Sequence, residues 1–216
     1  METRLYLIRH AESEGNVNGN FNGWTDLPLT EKGIRQAILL KGFLEDKAIE
    51  CVYSSPLKRA AKTCQIALPA FISDIHFDER LKEINGGLWE GTRWDVLMRQ
   101  WEKEYQLWVE VPSRMTMPEG ESVKTMYDRS TRAIEEILRE QKGRCIAVFT
   151  HGTVLRALIA HLLHQDIQAL DGIRWHENAS VTCIVIDQER TSMAYEGNSS
   201  FLDDGTATIR NAKWNK

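Results

Sequence analysis

Two apolar segments far apart in the chain each end on a histidine, and these two side chains are the first candidates for chemistry. Residues 5–10 read Leu-Tyr-Leu-Ile-Arg-His, so Arg9 directly precedes His10, and residues 146–152 read Ile-Ala-Val-Phe-Thr-His-Gly. Both segments have the continuous apolar character of buried parallel strands. Because open α/β sheets place ligand chemistry at the carboxyl ends of their strands, His10 and His151 are predicted to share one edge. One histidine after a strand is most simply structural, whereas two are hard to explain by packing.

A further cationic residue is predicted to reach the same edge. Residues 50–54 read as a strand, and Ser55-Pro56 then begins a helix, with serine as N-cap and proline at the first helical position. Arg59 lies one turn into that helix; taken alone it would be a surface residue. Guanidinium groups match phosphate oxygens, and helix N-termini add backbone N–H donors. Together with Arg9 and the histidines, Arg59 indicates a pocket for a tetrahedral anion such as a phosphoryl group.

The bulk composition predicts one globular domain that binds a small ligand. The chain has 216 residues, 42% hydrophobic and 27% charged, with a net charge of −4. A broad basic surface for nucleic acid is therefore not expected, and any basic cluster is local. The four cysteines form no C-x-x-C pair and read as small buried hydrophobes in a reducing compartment. With no secretory start and no apolar segment of ~20 residues, the predicted location is the cytoplasm, away from membranes.

Strands and helices alternate along most of the chain, which is typical of an α/β fold. We predict a three-layer α/β/α sandwich with a mostly parallel central sheet. The last two strands, 180–186 and 193–196, are close in sequence and are predicted to pair antiparallel at an edge. A helix capped by Thr30 is predicted next, and its apolar positions keep helical spacing; they are Ile34, Ala37, Ile38, the stem of Lys41, and Phe43 or Leu44.

The segment at about 88–120 differs in composition from its surroundings. It holds Trp89, Trp94, Trp101 and Trp108, four of the seven tryptophans. It reads as an amphipathic helix followed by a proline-bounded loop, and we predict a small helical cap inserted in a single 1–216 domain. The tryptophans are more simply core packing than substrate contacts.

Several sequence blocks, in a fixed order along the chain, resemble those of one known family. They are 7–13 (Leu-Ile-Arg-His-Ala-Glu-Ser), Asn16, 23–30 (Gly-Trp-Thr-Asp-Leu-Pro-Leu-Thr), 53–63 (Tyr-Ser-Ser-Pro-Leu-Lys-Arg-Ala-Ala-Lys-Thr), 81–84 (Leu-Lys-Glu-Ile), 118–122 (Pro-Glu-Gly-Glu-Ser) and 150–152 (Thr-His-Gly). The chain resembles the histidine phosphatase superfamily, in its phosphoglycerate mutase-like branch. The blocks span nearly the whole chain, and their combination is far more specific than any one of them.

The resemblance implies a role for each reactive residue. His10 matches the nucleophile that takes the phosphoryl group onto a ring nitrogen, which a neutral imidazole with a pKa of ~6.5 can do. Glu83 matches the acid that protonates the leaving alcohol and then activates water. Arg9, Arg59 and His151 match the groups that bind the phosphoryl oxygens and stabilise charge in transfer.

The resemblance also implies substrate-binding positions at Asn16, Gly23 and Gly152. Ala11 departs from the family pattern, in which many members carry glycine, but alanine is small enough to keep the site. No metal and no other cofactor is implied.

Hydrolysis is favoured over mutase chemistry by two features. Residues 81–95 resemble the Glu-Ile-Asn/Asp-x-Gly-x-Trp-Glu-Gly pattern of small phosphatases, and the tail after residue 205 is short and lacks a long glycine-rich lid. We predict a phosphomonoesterase that uses a phosphohistidine on His10 without metal. The alternatives are a phosphoglycerate mutase-type transfer, a non-catalytic module that binds a phosphorylated ligand or a protein, and a metal hydrolase. His161 and His164 share a helix face but lack the third ligand of a zinc site.

The substrate is predicted only as a small phosphorylated metabolite. The tryptophan-rich segment would favour apolar or ring-bearing alcohols, whereas Arg93, Arg99 and Arg114 could bind a second carboxylate or phosphate. α-Ribazole phosphate, sugar phosphates, phosphoglycerate and a broad specificity all stay open. A homodimer is a further possibility, if tryptophans are exposed.

Overall fold

The computed structural model describes residues 2–203 and 205–208, so most of the short tail discussed above lies outside the described residues. The described part contains a six-stranded sheet. Its strands are β1 (Thr3–Arg9), β2 (Cys51–Ser54), β3 (Ile75–Phe77), β4 (Cys145–Thr150), β5 (Val181–Ile186) and β6 (Thr191–Asn198).

The strand order is β3-β2-β4-β1-β5-β6. The pairs β3–β2, β2–β4 and β4–β1 are parallel, whereas β5 runs antiparallel to both β1 and β6. This topology confirms the predicted mostly parallel sheet with an antiparallel pair at one edge.

Helices cover both faces of the sheet. They are α1 (Glu14–Asn18), α2 (Glu31–Leu44), α3 (Lys58–Ala67), α4 (Trp94–Gln100), α5 (Glu102–Glu110), α6 (Val123–Glu140) and α7 (Gly152–His164). One apolar core joins α6 and α7 to the sheet, and a second core joins α2 and α3 to the opposite face, which confirms the three layers. None of the helices in the described ranges has the length and apolar character needed to cross a bilayer.

The two central strands are buried on both faces, as their continuous apolar sequences predict. In β1, Leu5 and Leu7 belong to the core under α6 and α7, whereas Tyr6 and Ile8 belong to the core under α2 and α3. The parallel neighbour β4 alternates in the same register. This register fixes which residues of the two strands finish side by side.

The end of that register places the two candidate histidines next to each other. Arg9 is the last residue of β1 and lies opposite Thr150, the last residue of β4. The His10 N–H still donates to the Thr150 carbonyl over 2.9 Å. His10 and His151 therefore both leave the sheet at the same edge.

The start of α3 differs from the prediction. The helix begins at Lys58 with Leu57 as its N-cap, rather than at Ser55-Pro56. The reason is a contact from a distant loop, since an Asp26 carboxylate oxygen accepts the Lys58 N–H over 2.7 Å. The Ser55 hydroxyl accepts the Leu57 N–H at 3.3 Å without starting a helix. Arg59 is consequently the second residue of α3.

Only part of the apolar spacing predicted for α2 marks its buried face, since Ala37 and Leu44 lie in the core. Ile34 and Ile38 are 40% and 56% exposed, whereas Gln36 is fully buried. The Gln36 amide accepts the Glu12 N–H over 2.7 Å and donates to the Thr206 carbonyl over 2.6 Å. A polar side chain faces the core here because it satisfies backbone groups that would otherwise lack partners.

The tryptophan-rich segment forms two short helices, α4 and α5, that meet at Trp101, instead of the single helix predicted. Trp89 and Trp108 are buried, and each packs edge-on against Phe21 with ring centroids 5.7 Å apart. These contacts agree with the packing interpretation of the tryptophans. That residues 88–120 act as a cap stays a prediction.

The buried amide of Gln36 gives a stability prediction. Gln36→Leu keeps the side-chain volume but leaves the Glu12 N–H and the Thr206 carbonyl without this partner, so we expect the free energy of unfolding to fall by roughly 1–3 kcal/mol. Urea denaturation measures the change. Gln106→Leu, on the exposed side of α5, is the control and should change it by less than about 0.5 kcal/mol. Equal stability of the two variants would contradict the hydrogen bonds described.

Candidate active site

His10 is held as a neutral imidazole with one nitrogen available. Its Nδ1 lies 2.7 Å from the carbonyl oxygen of Ala11, and because a carbonyl only accepts, Nδ1 carries the proton and Nε2 the lone pair. The ring is buried, and burial lowers its pKa well below the usual value, with further lowering from the charges of Arg59 and Arg9. The arrangement therefore presents an unprotonated ring nitrogen beside two cations.

His151 lies against His10, with ring centroids 5.2 Å apart. Its Nε2 is 2.7 Å from the Ser55 hydroxyl, and its Nδ1 is buried with no hydrogen-bond partner among the described residues. Burial lowers the pKa of this ring well below its usual value, and Arg59 lowers it further. A buried ring nitrogen with no partner is a position where an oxygen of a ligand could bind.

Arg9 binds the segment that contains His176. One Nη1 hydrogen bonds to the His176 carbonyl, whereas Nε is buried and has no partner within the described part of the chain. Burial lowers the pKa of this guanidinium, and the charges of Glu177 and Glu83 oppose that effect. Arg9 thus keeps an unused donor at the sheet edge.

Arg59 is fixed by three carbonyl oxygens of one loop. It donates to Gly23 over 2.7 Å, Thr25 over 3.0 Å and Asn22 over 3.3 Å. Burial lowers its pKa to about 10, so it remains charged at neutral pH. Three of its five N–H donors are occupied, and the remaining two can serve an anion.

Glu83 is the carboxylate of this edge. One oxygen accepts the Ile84 N–H over 2.9 Å and the other accepts the Thr153 N–H, in the first turn of α7, over 3.1 Å. Both bonds come from the backbone, and the helix N-terminus favours negative charge. The side chain is thereby oriented without using an arginine of the pocket.

Arg129 is a positioning group that the sequence did not reveal. From α6 it donates to the carbonyls of Arg80, Lys82 and Glu83 over 2.7, 2.7 and 2.8 Å, and it pairs with the Glu121 carboxylate at 2.7 Å. These contacts hold the backbone that carries the Glu83 side chain. Arg129 lies outside all the blocks that resemble the family, so no sequence feature pointed to it.

Two predicted binding glycines are required for close approach. A Cβ on Gly23 would lie 2.0 Å from the Ile84 carbonyl oxygen, and a Cβ on Gly152 would lie 2.8 Å from the Trp175 ring. The Gly152 position is also 3.6 Å from the Arg9 guanidinium carbon. Both glycines therefore border the site, and their contact with a substrate stays a prediction.

Asn16 lies on α1 at the periphery of this cluster. Its amide oxygen accepts the Ser13 N–H over 2.9 Å and lies 3.4 Å from Nδ2 of Asn178, which itself donates to the His10 carbonyl. Asn16 is therefore linked to the His10 backbone. That it contacts substrate stays a prediction.

The surface arginines are not part of this cluster. Arg93 and Arg99 are exposed and both pair with Asp95, with N–O distances of 2.9 Å, and Arg114 is exposed as well. Among residues 2–203 and 205–208, no hydrogen bond or ion pair joins these three arginines to Arg9, Arg59 or the two histidines, so they give no support to a second anion subsite.

The histidine pair of α7 is likewise elsewhere. His161 contacts Glu135 at 2.9 Å and the Tyr127 hydroxyl at 3.3 Å. Residues 2–203 and 205–208 contain no group of three His, Cys, Asp or Glu side chains arranged to hold a metal ion.

The site has the histidines, arginines and carboxylate expected from the family resemblance, and the pattern of the histidine phosphatase superfamily (branch 1) matches residues 5–198. The chain belongs to this superfamily. Phosphoserine phosphatase 1 from Hydrogenobacter thermophilus is 32% identical over 190 residues, covering 87% of this chain and 88% of that protein. Probable phosphoglycerate mutase GpmB from Escherichia coli is 32% identical over 160 residues, 74% of each chain. The structure of Bacillus stearothermophilus YhfR superposes with a TM-score of 0.87 at 32% identity, covering 93% of this chain and 100% of that one.

The buried histidines of this superfamily member predict a pH-dependent stability. Because its pKa is lowered, the His10 ring stays neutral in the folded protein just below pH 6.5, whereas the same ring takes up a proton there in the unfolded chain. Stability is therefore lost as the pH falls from 6.5 toward the folded pKa, by up to about 1.4 kcal/mol per pH unit for each such histidine.

Urea denaturation between pH 5.5 and 7.5 measures this slope. His10→Asn should flatten it by up to about 1.4 kcal/mol per pH unit. His76→Asn, at an exposed position of β3, should keep the wild-type slope. An unchanged slope in His10→Asn would show that His10 is not buried as a neutral ring.

Proposed function

We propose that this protein hydrolyses phosphate monoesters of small molecules, with His10 carrying the phosphoryl group between the ester and water. The observation that carries the proposal is the tautomer of His10, whose Nδ1–H is committed to the Ala11 carbonyl so that Nε2 is a neutral nucleophile. Two buried arginines and a second histidine surround it. A site that only bound phosphate would need none of this nucleophile chemistry.

In the first step, His10 Nε2 attacks phosphorus, an N–P bond forms and the bond from phosphorus to the ester oxygen breaks. Arg9 and Arg59 offer positive charge and N–H donors to the oxygens of the transferring group, which is the main requirement of phosphoryl transfer, and the neutral ring of His151 adds a polar nitrogen beside them. An alkoxide leaves poorly, so a proton passes from Glu83 to the departing oxygen, which leaves the carboxylate that the two backbone N–H groups hold.

In the second step the same groups work in reverse. The Glu83 carboxylate takes a proton from a water molecule, whose oxygen attacks phosphorus. The N–P bond breaks, inorganic phosphate leaves, and His10 regains its lone pair. Division into two displacements lets one carboxylate serve first as acid and then as base.

Hydrolysis is the better supported outcome for the phosphohistidine. The relative with the longer match is named a phosphoserine phosphatase, and the relative named a probable phosphoglycerate mutase matches a smaller share of the chain. A mutase differs only in returning the phosphoryl group to a second hydroxyl, so it is the alternative. A cytoplasmic location and a homodimer stay predictions from the sequence.

The test is hydrolysis in EDTA of p-nitrophenyl phosphate, phosphoserine, phosphoglycerates, sugar phosphates and α-ribazole phosphate. The wild type should release phosphate, and His10→Ala should be slower by at least about 10³-fold, as expected when a covalent nucleophile is removed. His76→Ala is the control and should retain full activity. Undiminished hydrolysis by His10→Ala would refute the mechanism, and isomerisation of phosphoglycerate faster than hydrolysis would favour the mutase.

A further inference from the structure

The carboxylate of Glu90 is the acceptor for five hydrogen bonds from two separate loops. The backbone N–H groups of Gly23, Trp24 and Thr25 donate to it over 3.2, 2.7 and 2.9 Å, the Thr25 hydroxyl donates as well, and the Gly86 N–H donates over 2.8 Å. A carboxylate used so fully by backbone donors fixes the conformation of the loop that supplies them.

The loop of residues 22–25, which donates its N–H groups to Glu90, also accepts hydrogen bonds from Arg59 through its carbonyl groups. In the peptide group between Asn22 and Gly23, the N–H donates to Glu90 while the C=O accepts from Arg59, and the next peptide group, between Gly23 and Trp24, does the same. Two peptide groups thus connect a carboxylate to a guanidinium in a continuous hydrogen-bonded chain. We propose that Glu90 is a positioning residue, which fixes the Arg59 guanidinium in place for the phosphoryl group through these two peptides.

The Glu90 carboxylate is closely packed against two glycines of these loops, Gly23 and Gly86. A Cβ on Gly23 would lie 2.4 Å from a Glu90 carboxylate oxygen, and one on Gly86 would lie 3.0 Å from the same oxygen. A side chain at either position would crowd the carboxylate, most severely at Gly23, where the Cβ would also lie 2.0 Å from the Ile84 carbonyl oxygen. The glycines on either side and the acid between them therefore form one unit.

Positioning matters because arginine is long and flexible. Its side chain loses rotamer entropy when it is ordered, and donors are most useful to a phosphoryl group when they are already in place. Hydrogen bonds in series polarise one another, so the charge of Glu90 also strengthens the bonds that hold the guanidinium. The inference rests on the proposed function insofar as the anion is the transferring phosphoryl group.

The negative charge of Glu90 and its positioning of Arg59 have opposite effects on the affinity for phosphate, which makes the proposal testable. Glu90 opposes the desolvation of Arg59 electrostatically, so loss of its charge alone would leave the pocket more positive and would bind phosphate more tightly. If Glu90 acts by position, its replacement weakens phosphate binding. Glutamine offers one oxygen and one NH₂ to the five donors, and the NH₂ cannot accept.

The experiment is a double-mutant cycle with Glu90→Gln, Arg59→Ala and the combined variant. The readouts are kcat/KM for p-nitrophenyl phosphate and the affinity for inorganic phosphate by calorimetry. Glu90→Gln should lower kcat/KM by ~10–100-fold and weaken phosphate binding, but should cost less than ~3-fold when Arg59 is already alanine. Glu110→Gln, an exposed acid on α5, should match the wild type.

Either of two results would overturn the proposal: the full loss in both backgrounds, or phosphate binding that is unchanged or tighter in Glu90→Gln. If Glu90→Gln does not fold, Thr25→Val removes only the hydroxyl donor to Glu90 and should lower kcat/KM by ~3-fold, again only when Arg59 is present. A folded Thr25→Val with wild-type kcat/KM would equally refute it. Should the wild type hydrolyse no ester, the proposed function fails while the calorimetric comparison still decides the role of Glu90.

Discussion

The burial of cationic and imidazole groups at one edge of the sheet is the constraint on which the rest of the site depends. Arg9 and Arg59 lie out of water, and their hydrogen bonds within the described residues go to backbone carbonyls, one for Arg9 and three for Arg59. A direct carboxylate partner would compete with an anionic substrate for the same N–H groups. Carbonyl oxygens accept some of the N–H groups of each guanidinium but leave its positive charge available to a ligand. The nearby acids Glu83 and Glu90 are instead held by backbone N–H groups.

The same desolvation sets the state of the histidines. Burial and the nearby arginines lower the pKa of both His10 and His151, so the arrangement that favours an anion also keeps His10, the proposed nucleophile, unprotonated. The parallel register of β1 and β4 brings the two rings together, because the two strands end side by side. The fold therefore determines the chemistry at one place, the edge of the sheet where β1 and β4 end.

The features that could be predicted from sequence are those set by local pattern. The apolar lengths of β1 and β4 located His10 and His151, and the resemblance pointed to Glu83, which the structure brings to the same edge. The features that were missed depend on contacts between distant segments. Glu90 binds a loop 67 residues earlier, Arg129 binds a carbonyl 46 residues earlier, and neither contact leaves a periodic trace in the sequence.

The same reason explains the errors in local structure. Gln36 faces the core of α2 because a backbone N–H and a carbonyl from two other segments need its amide. The start of α3 differs from the predicted one because Asp26, 32 residues earlier, accepts the Lys58 N–H. Propensity and periodicity describe one element at a time, so tertiary hydrogen bonds of this kind override them.

The central claim is that His10 carries the phosphoryl group, and trapping of the intermediate tests it most directly. The protein is mixed with p-nitrophenyl phosphate, quenched in alkali within milliseconds, and the peptides are mapped by mass spectrometry. The account predicts an acid-labile phosphoryl group on the peptide that contains His10, absent from His10→Ala. A phosphoryl group on any other side chain, in an enzyme that turns over at the same rate, would contradict it.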